Sequence, residues 1–277
     1  MLPRLLATDL DGTIVGQDGT ISERTVAALV SLVDLGVRVV FATGRPPRWI
    51  YPVVEATGIT GPVICSNGAQ VYDTASDQIL VEHVLEESAG KGIAADLRHR
   101  FPDAAFAVEI GTGFGHEPDF APGWDPPAGS LVGTVDQLLA GPVVKLMARC
   151  PESDPDELLF LARQIIGDRA TVTRSIGISL VEVCRRGIDK ATTLATLAAG
   201  WGIDAPDVLA FGDQANDAAM LAWAGRSVAV ANAHAEAIDA ASETTASVEE
   251  DGVAQVIEKL ITSGVRSSSY TAGAPPV

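Results

Sequence analysis

Apolar positions in the first eighty residues follow two different periods. Leu5–Ala7 is a short apolar run that stops at Thr8-Asp9-Leu10-Asp11-Gly12-Thr13. Val26, Leu29, Val30 and Val33 then recur at three- and four-residue spacing, between Ser22, a natural helix N-cap, and Gly36, a natural stop. That spacing predicts a helix with those four residues inward. The β-branched run Val37–Ala42 and the segment Pro62–Cys65, which ends in Ser66-Asn67-Gly68, read as buried strands. Strands alternating with helices predict right-handed crossovers and a parallel sheet covered on both faces.

From about residue 83 to 186 the pattern changes. A helix is expected near 86–100 and a strand over 104–109, followed by a Gly/Pro-rich stretch from Gly111 to Gly129 that carries Phe114, His116, Phe120 and Trp124. A strand at 143–149, a helix at 156–166 and a hairpin of 170–174 with 178–183, turning at Ser175-Ile176-Gly177, complete an α+β module. After Gly187 the alternation returns, with a helix from Lys190 to Leu197, strands at 208–211 and 227–230, and helices at 218–223 and 252–260. Residues 264–277 show no core-forming pattern and are expected to be a disordered tail. The fold class is therefore α/β: a Rossmann-like parallel-sheet core over 1–82 and 187–263, interrupted by an inserted α+β domain over 83–186.

Composition narrows the partners. With 36 acidic against 19 basic residues the net charge is −17, which disfavours nucleic acid and anionic membranes, both polyanions. No apolar run approaches the ~18 residues of a membrane span, and Thr8-Asp9 interrupts any signal-peptide core. Cys65, Cys150 and Cys184 are scattered and form no Cys-x-x-Cys pair, as in reduced proteins. The expectation is a cytoplasmic protein. A chain this negative needs a bound cation or a few placed basic groups before it can hold a negative substrate.

Candidate chemistry gathers at the ends of the predicted strands, where open α/β sheets bind ligands. Asp9 and Asp11 follow the first strand, with Gly12 allowing a sharp exit. Thr43-Gly44-Arg45 follows the second, Ser66-Asn67-Gly68-Ala69 the third, and Gly212-Asp213-Gln214-Ala215-Asn216-Asp217 a fourth. Each alone is also what an ordinary turn after a strand looks like; four together are hard to explain as turns. Carboxylates at several strand ends are hard oxygen ligands suited to Mg2+, and Lys190 at a helix start offers a point charge for phosphate.

At these residues the chain resembles the haloacid dehalogenase superfamily of phosphatases. Asp9 to Thr13 matches the first family motif, Asp-x-Asp-Gly-Thr; Thr43 the second; Lys190 the third; and Gly212 to Asp217 the fourth, Gly-Asp-x-x-Asn-Asp. The long insert resembles the large α+β cap of the Cof-type subgroup, as do Ser66–Ala69 and Glu249-Glu250-Asp251-Gly252-Val253. Ala191 stands where a glycine often follows the lysine. The resemblance implies Asp9 as nucleophile, forming an aspartyl-phosphate, and Asp11 as general acid and then base. It implies Mg2+ held by Asp9, the backbone carbonyl of Asp11, Asp213 and Asp217, with Thr43 and Lys190 on the phosphoryl oxygens. Gly44, Arg45, Asn67, His116 and Asn216 are further candidates for contact with a small phosphorylated metabolite. Asp11 argues against dehalogenation. A phosphomutase, passing the phosphoryl group to a sugar hydroxyl, and a non-catalytic binding module remain alternatives.

Overall fold

A computed structural model describes residues 2–121, 123–174 and 178–269; the expected turn at 175–177 and the end of the tail, 270–277, lie outside the described residues. Internal contacts group the chain into two compact units. The first comprises Met1–Thr43, Tyr51–Pro62 and Leu194–Val277, the second Gly44–Ile50 and Val63–Thr193.

The first unit is built on a five-stranded parallel sheet in the order Glu243–Thr244, Arg226–Ala229, Val208–Gly212, Leu5–Thr8, Arg38–Phe41. Leu5–Thr8 is central and buried along its whole length, which is why its apolar run shows no alternation. Thr8 lies level with Phe211 on one side and Phe41 on the other. The segments that follow these three strands therefore leave the sheet at one edge, its carboxyl edge. The chain crosses from Leu5–Thr8 outward to Arg38–Phe41, while Val208–Gly212 lies on the opposite flank, so the connection order reverses at this point.

Helix Glu23–Asp34 starts as expected, with the Ser22 side chain accepting from the Thr25 amide. Its buried face, however, is Thr25, Ala28, Leu29 and Leu32, and Val33 is exposed. The buried stripe includes the small residues Ala28 and Thr25, which counting large apolar residues misses. The last helix runs Gly252–Ser269, beyond the apolar periodicity that ends near Leu260. Among the described residues no helix is long and apolar enough to cross a membrane.

The second unit holds a six-stranded sheet in the order Ala170–Arg174, Leu180–Arg185, Val143–Arg149, Ala105–Ile110, Gly113–His116, Leu131–Val132. Its pairings are antiparallel except the last. Helices Glu87–Arg100 and Pro155–Ile166 contribute Ile93, Leu97 and Leu158 to an apolar core with Phe106, Leu146 and Val181 from the strands. Asp154 caps the second of these helices by accepting from the amides of Asp156 and Glu157. Because side chains alternate across a strand, the residues between those core positions, among them Glu109, Lys145 and Glu182, emerge on the opposite face. A three-stranded sheet joins Pro62–Cys65, Gln70–Asp73 and Gln78–Glu82.

Candidate active site

Three aspartates close on one point at the carboxyl edge of the parallel sheet. One carboxylate oxygen from each of Asp9, Asp213 and Asp217 lies within 4.8 Å of the others, and all three residues are buried. Asp9 continues the sheet ladder, its amide donating to the Phe211 carbonyl at 3.0 Å. Asp213 accepts from the Thr13 hydroxyl at 3.1 Å and from the Gln214 side-chain amide at 2.9 Å. Asp217 Oδ2 accepts from the backbone amides of Asp213 and Gln214, at 3.0 and 2.9 Å, which ties the loop to itself.

Glycine makes this crowding possible. Gly12 has φ +84°, and a Cβ there would stand 2.3 Å from Asp213 Oδ2; a Cβ on Gly212 would stand 2.5 Å from that of Asp217. The loop after Asp9 is wound tightly, the Leu10 carbonyl accepting from the amides of Thr13, Ile14 and Val15. Asp11 is half-buried and is not one of the three clustered carboxylates. Asn216 is half-buried in the Asp213–Asp217 loop, and Thr43 is buried just beyond the strand Arg38–Phe41. Three buried carboxylates this close repel one another unless protons or a cation intervene. A donor set made of hard, buried carboxylate oxygens fits a hard divalent cation.

The remaining sequence candidates, Gly44, Arg45, Asn67, His116 and Lys190, belong to the second unit. Lys190 is buried at the start of helix Lys190–Gly200. The Arg45 guanidinium donates to the Trp49 carbonyl at 3.3 Å, and the Arg45 carbonyl accepts from the Ser66 amide at 2.9 Å. Ser66 and Asn67 both have positive φ, 51° and 56°. Left-handed backbone costs a non-glycine residue about 1–3 kcal/mol and persists only where surroundings impose it. Here the Asn67 side-chain amide donates to Glu182 at 2.6 Å and to the Thr173 hydroxyl at 3.0 Å. His116 stacks on Phe114 with ring centres 5.7 Å apart, its Nδ1 2.8 Å from the Glu117 carbonyl. Phe114 and Phe120 are buried with Ala105, Ala107, Met147 and Leu180, so two of the loop's three aromatic rings are core.

Among the described residues, Arg48, Glu109, Lys145 and Glu182 are buried or nearly buried charges that escape the sequence reading. Arg48 makes a two-pronged ion pair with Glu109, one prong at 3.0 Å, and Lys145 donates to Glu182 and to the Gly44 carbonyl, both at 2.9 Å. Burial alone would drive Lys145 to shed its proton, but the adjacent carboxylates of Glu182 and Glu109 outweigh it and raise its pKa above the usual lysine value. The signal was available: Lys145 and Glu182 interrupt the apolar runs Val143–Ala148 and Leu180–Val183.

Residues 6–257 match the haloacid dehalogenase-like hydrolases. The 5-amino-6-(5-phospho-D-ribitylamino)uracil phosphatase YitU of Bacillus subtilis is 27% identical over 269 residues, spanning 93% of this chain and 97% of that protein. A phosphoglycolate phosphatase of Methanoculleus marisnigri is also 27% identical, spanning 92% of this chain and 96% of its own. Among solved structures, a haloacid dehalogenase-like hydrolase from Bacteroides thetaiotaomicron superposes with a TM-score of 0.73 at 25% identity, covering 93% of this chain and 99% of that one.

Proposed function

We propose that this chain, which belongs to the haloacid dehalogenase-like hydrolases, is a Mg2+-dependent phosphatase that hydrolyses phosphate monoesters of small metabolites through an aspartyl-phosphate. The observation that carries the reading is the trio of buried carboxylates, Asp9, Asp213 and Asp217, at the carboxyl edge of the parallel sheet. The two named relatives act on different small phosphate esters, which supports the substrate class and leaves the individual metabolite to experiment.

In this reading a carboxylate oxygen of Asp9 attacks phosphorus, and the bond from phosphorus to the ester oxygen breaks. Asp11 gives the departing alkoxide its proton. The same carboxylate then takes a proton from water, which attacks the phosphorus and returns Asp9 with inorganic phosphate. The Thr43 hydroxyl and the Lys190 ammonium hold the equatorial oxygens as charge redistributes. Gly44, Arg45, His116 and Asn216 serve substrate contact, while the Asn67 side-chain amide is engaged by Glu182 and Thr173, and residues 83–186 serve as the cap that selects the leaving group. Asp9, Asp213, Asp217 and the Asp11 carbonyl would hold Mg2+, whose charge offsets the repulsion between a carboxylate nucleophile and a phosphate. That cation and Lys190 are the local correction a chain of net charge −17 requires. Three free, buried thiols are in keeping with a cytoplasmic location.

A panel of phosphorylated metabolites assayed for phosphate release with Mg2+ tests the proposal. Asp9→Asn should abolish release in folded protein, because an amide is too weak a nucleophile for phosphorus. Near-normal turnover by that variant would overturn the mechanism.

A further inference from the structure

We propose that Glu182 is a positioning residue: through Asn67 and the left-handed turn Ser66–Gly68 it seats the start of the helix that carries Lys190. The proposal rests on the phosphatase reading, which gives Lys190 its task.

Every link lies in the second unit. Glu182 is 6% exposed on the strand Leu180–Arg185. One of its oxygens accepts from Lys145 Nζ at 2.9 Å and the other from Asn67 Nδ2 at 2.6 Å. Asn67 is the middle of three successive residues with positive φ, at 51°, 56° and 99°. Its side chain ties that unfavourable backbone to the strands through Glu182 and Thr173, and the Cys184 thiol adds a bond to the Ser66 carbonyl at 3.5 Å. Gly68, the third of the three, presses backbone on backbone against the residue before Lys190: a Cβ there would stand 2.2 Å from the Asp189 carbonyl oxygen. The Gly68 carbonyl also accepts from the Thr193 hydroxyl at 2.8 Å, in the first turn of the helix. Moving the turn therefore moves the helix start. By the same hub, Lys145 holds the carbonyl of Gly44, the residue after Thr43. A buried Lys–Glu pair contributes little net stability compared with apolar residues of the same volume, so a positional task is the better account of this one.

The pair can be inverted chemically. Asn67→Asp sets two carboxylates against each other, and Glu182→Gln, with its carbonyl turned to Lys145, sets amide against amide. The double variant restores an amide–carboxylate bond with donor and acceptor exchanged. Steady-state kinetics on p-nitrophenyl phosphate with Mg2+, alongside Tm, reads the cycle. Each single change should lower kcat by about tenfold to a hundredfold with KM moved less than about threefold, because the loss falls on groups that grip the phosphoryl transition state. The double variant should recover to within about fivefold of wild type. Singles with unchanged kcat overturn the inference, as does a double variant that regains Tm but not kcat, which would mark a purely structural role or direct substrate contact by Asn67. If a single variant does not fold, the folded double decides: near-wild-type kcat supports positioning, and a persistent loss overturns it. A wild-type protein that releases phosphate from no ester overturns the phosphatase reading and this inference with it, whereas variants that match an active wild type overturn the inference alone.

Discussion

At Gly12 one missing carbon decides whether the acid cluster can form. The sequence reading assigns this glycine to a sharp turn, and φ +84° agrees, but its second task depends on Asp213, whose contact with the neighbouring Thr13 spans 200 residues of sequence. No local pattern reports such an approach. Gly12→Ala is expected to push the Asp213 carboxylate out of the trio. Isothermal titration with Mg2+ should show affinity weakened by about tenfold or more, and phosphatase kcat should fall by roughly a hundredfold, while far-ultraviolet circular dichroism stays unchanged. Lys145 and Glu182 show the reverse problem. They were visible as charges inside apolar runs, yet which face they occupy and which loop they hold follow only from strand pairing.

Among the elements, the strands that deliver the carboxylates were the most legible. Burial on both faces leaves Leu5–Ala7 and Val208–Phe211 as unbroken apolar runs, and the polar residues that end them mark the sheet edge. The Gly/Pro-rich stretch after Gly111 was the least legible. Glycine there reads as loop, yet Gly113–His116 is a strand paired with Ala105–Ile110. The reason is packing. A Cβ on Gly115 would stand 2.9 Å from Leu138 Cδ2 and 3.1 Å from Val108 Cγ2, so this glycine admits the helix Val135–Leu138 onto the sheet. The hairpin Gln70–Asp73 with Gln78–Glu82 went unread because Leu80 and Val81 are exposed and give no clean alternation. Gly115→Ala should therefore destabilise the protein by about 1–3 kcal/mol through overpacking. Urea unfolding followed by circular dichroism would show the lowered midpoint, and an unchanged midpoint would mean the helix yields freely.

At the scale of the whole molecule, net charge and the proposed metal binding are coupled. A chain of charge −17 that gathers three buried carboxylates stores repulsion there, and a cation that bound only the folded form would relieve it. Thermal unfolding should therefore shift upward with Mg2+ and downward with chelator, the gain reaching about 2.7 kcal/mol at a hundredfold excess over Kd. Asp213→Ala should abolish that increment; a shift that survives the substitution would place the cation elsewhere. The sheet register has its own consequence in the order of synthesis. Leu5–Thr8 needs Val208–Gly212 as a neighbour, and the intervening chain takes a ribosome roughly ten seconds or longer to make. Over that interval the nascent polypeptide displays an apolar strand with an open hydrogen-bonding edge, the kind of segment that chaperones shield. Asp9 is translated about 200 residues ahead of its partner carboxylates Asp213 and Asp217. Copies cut short before Val208 thus lack three of the five strands of this sheet and two of the three clustered carboxylates together, so under the proposed mechanism they are expected to be inert rather than indiscriminate hydrolases.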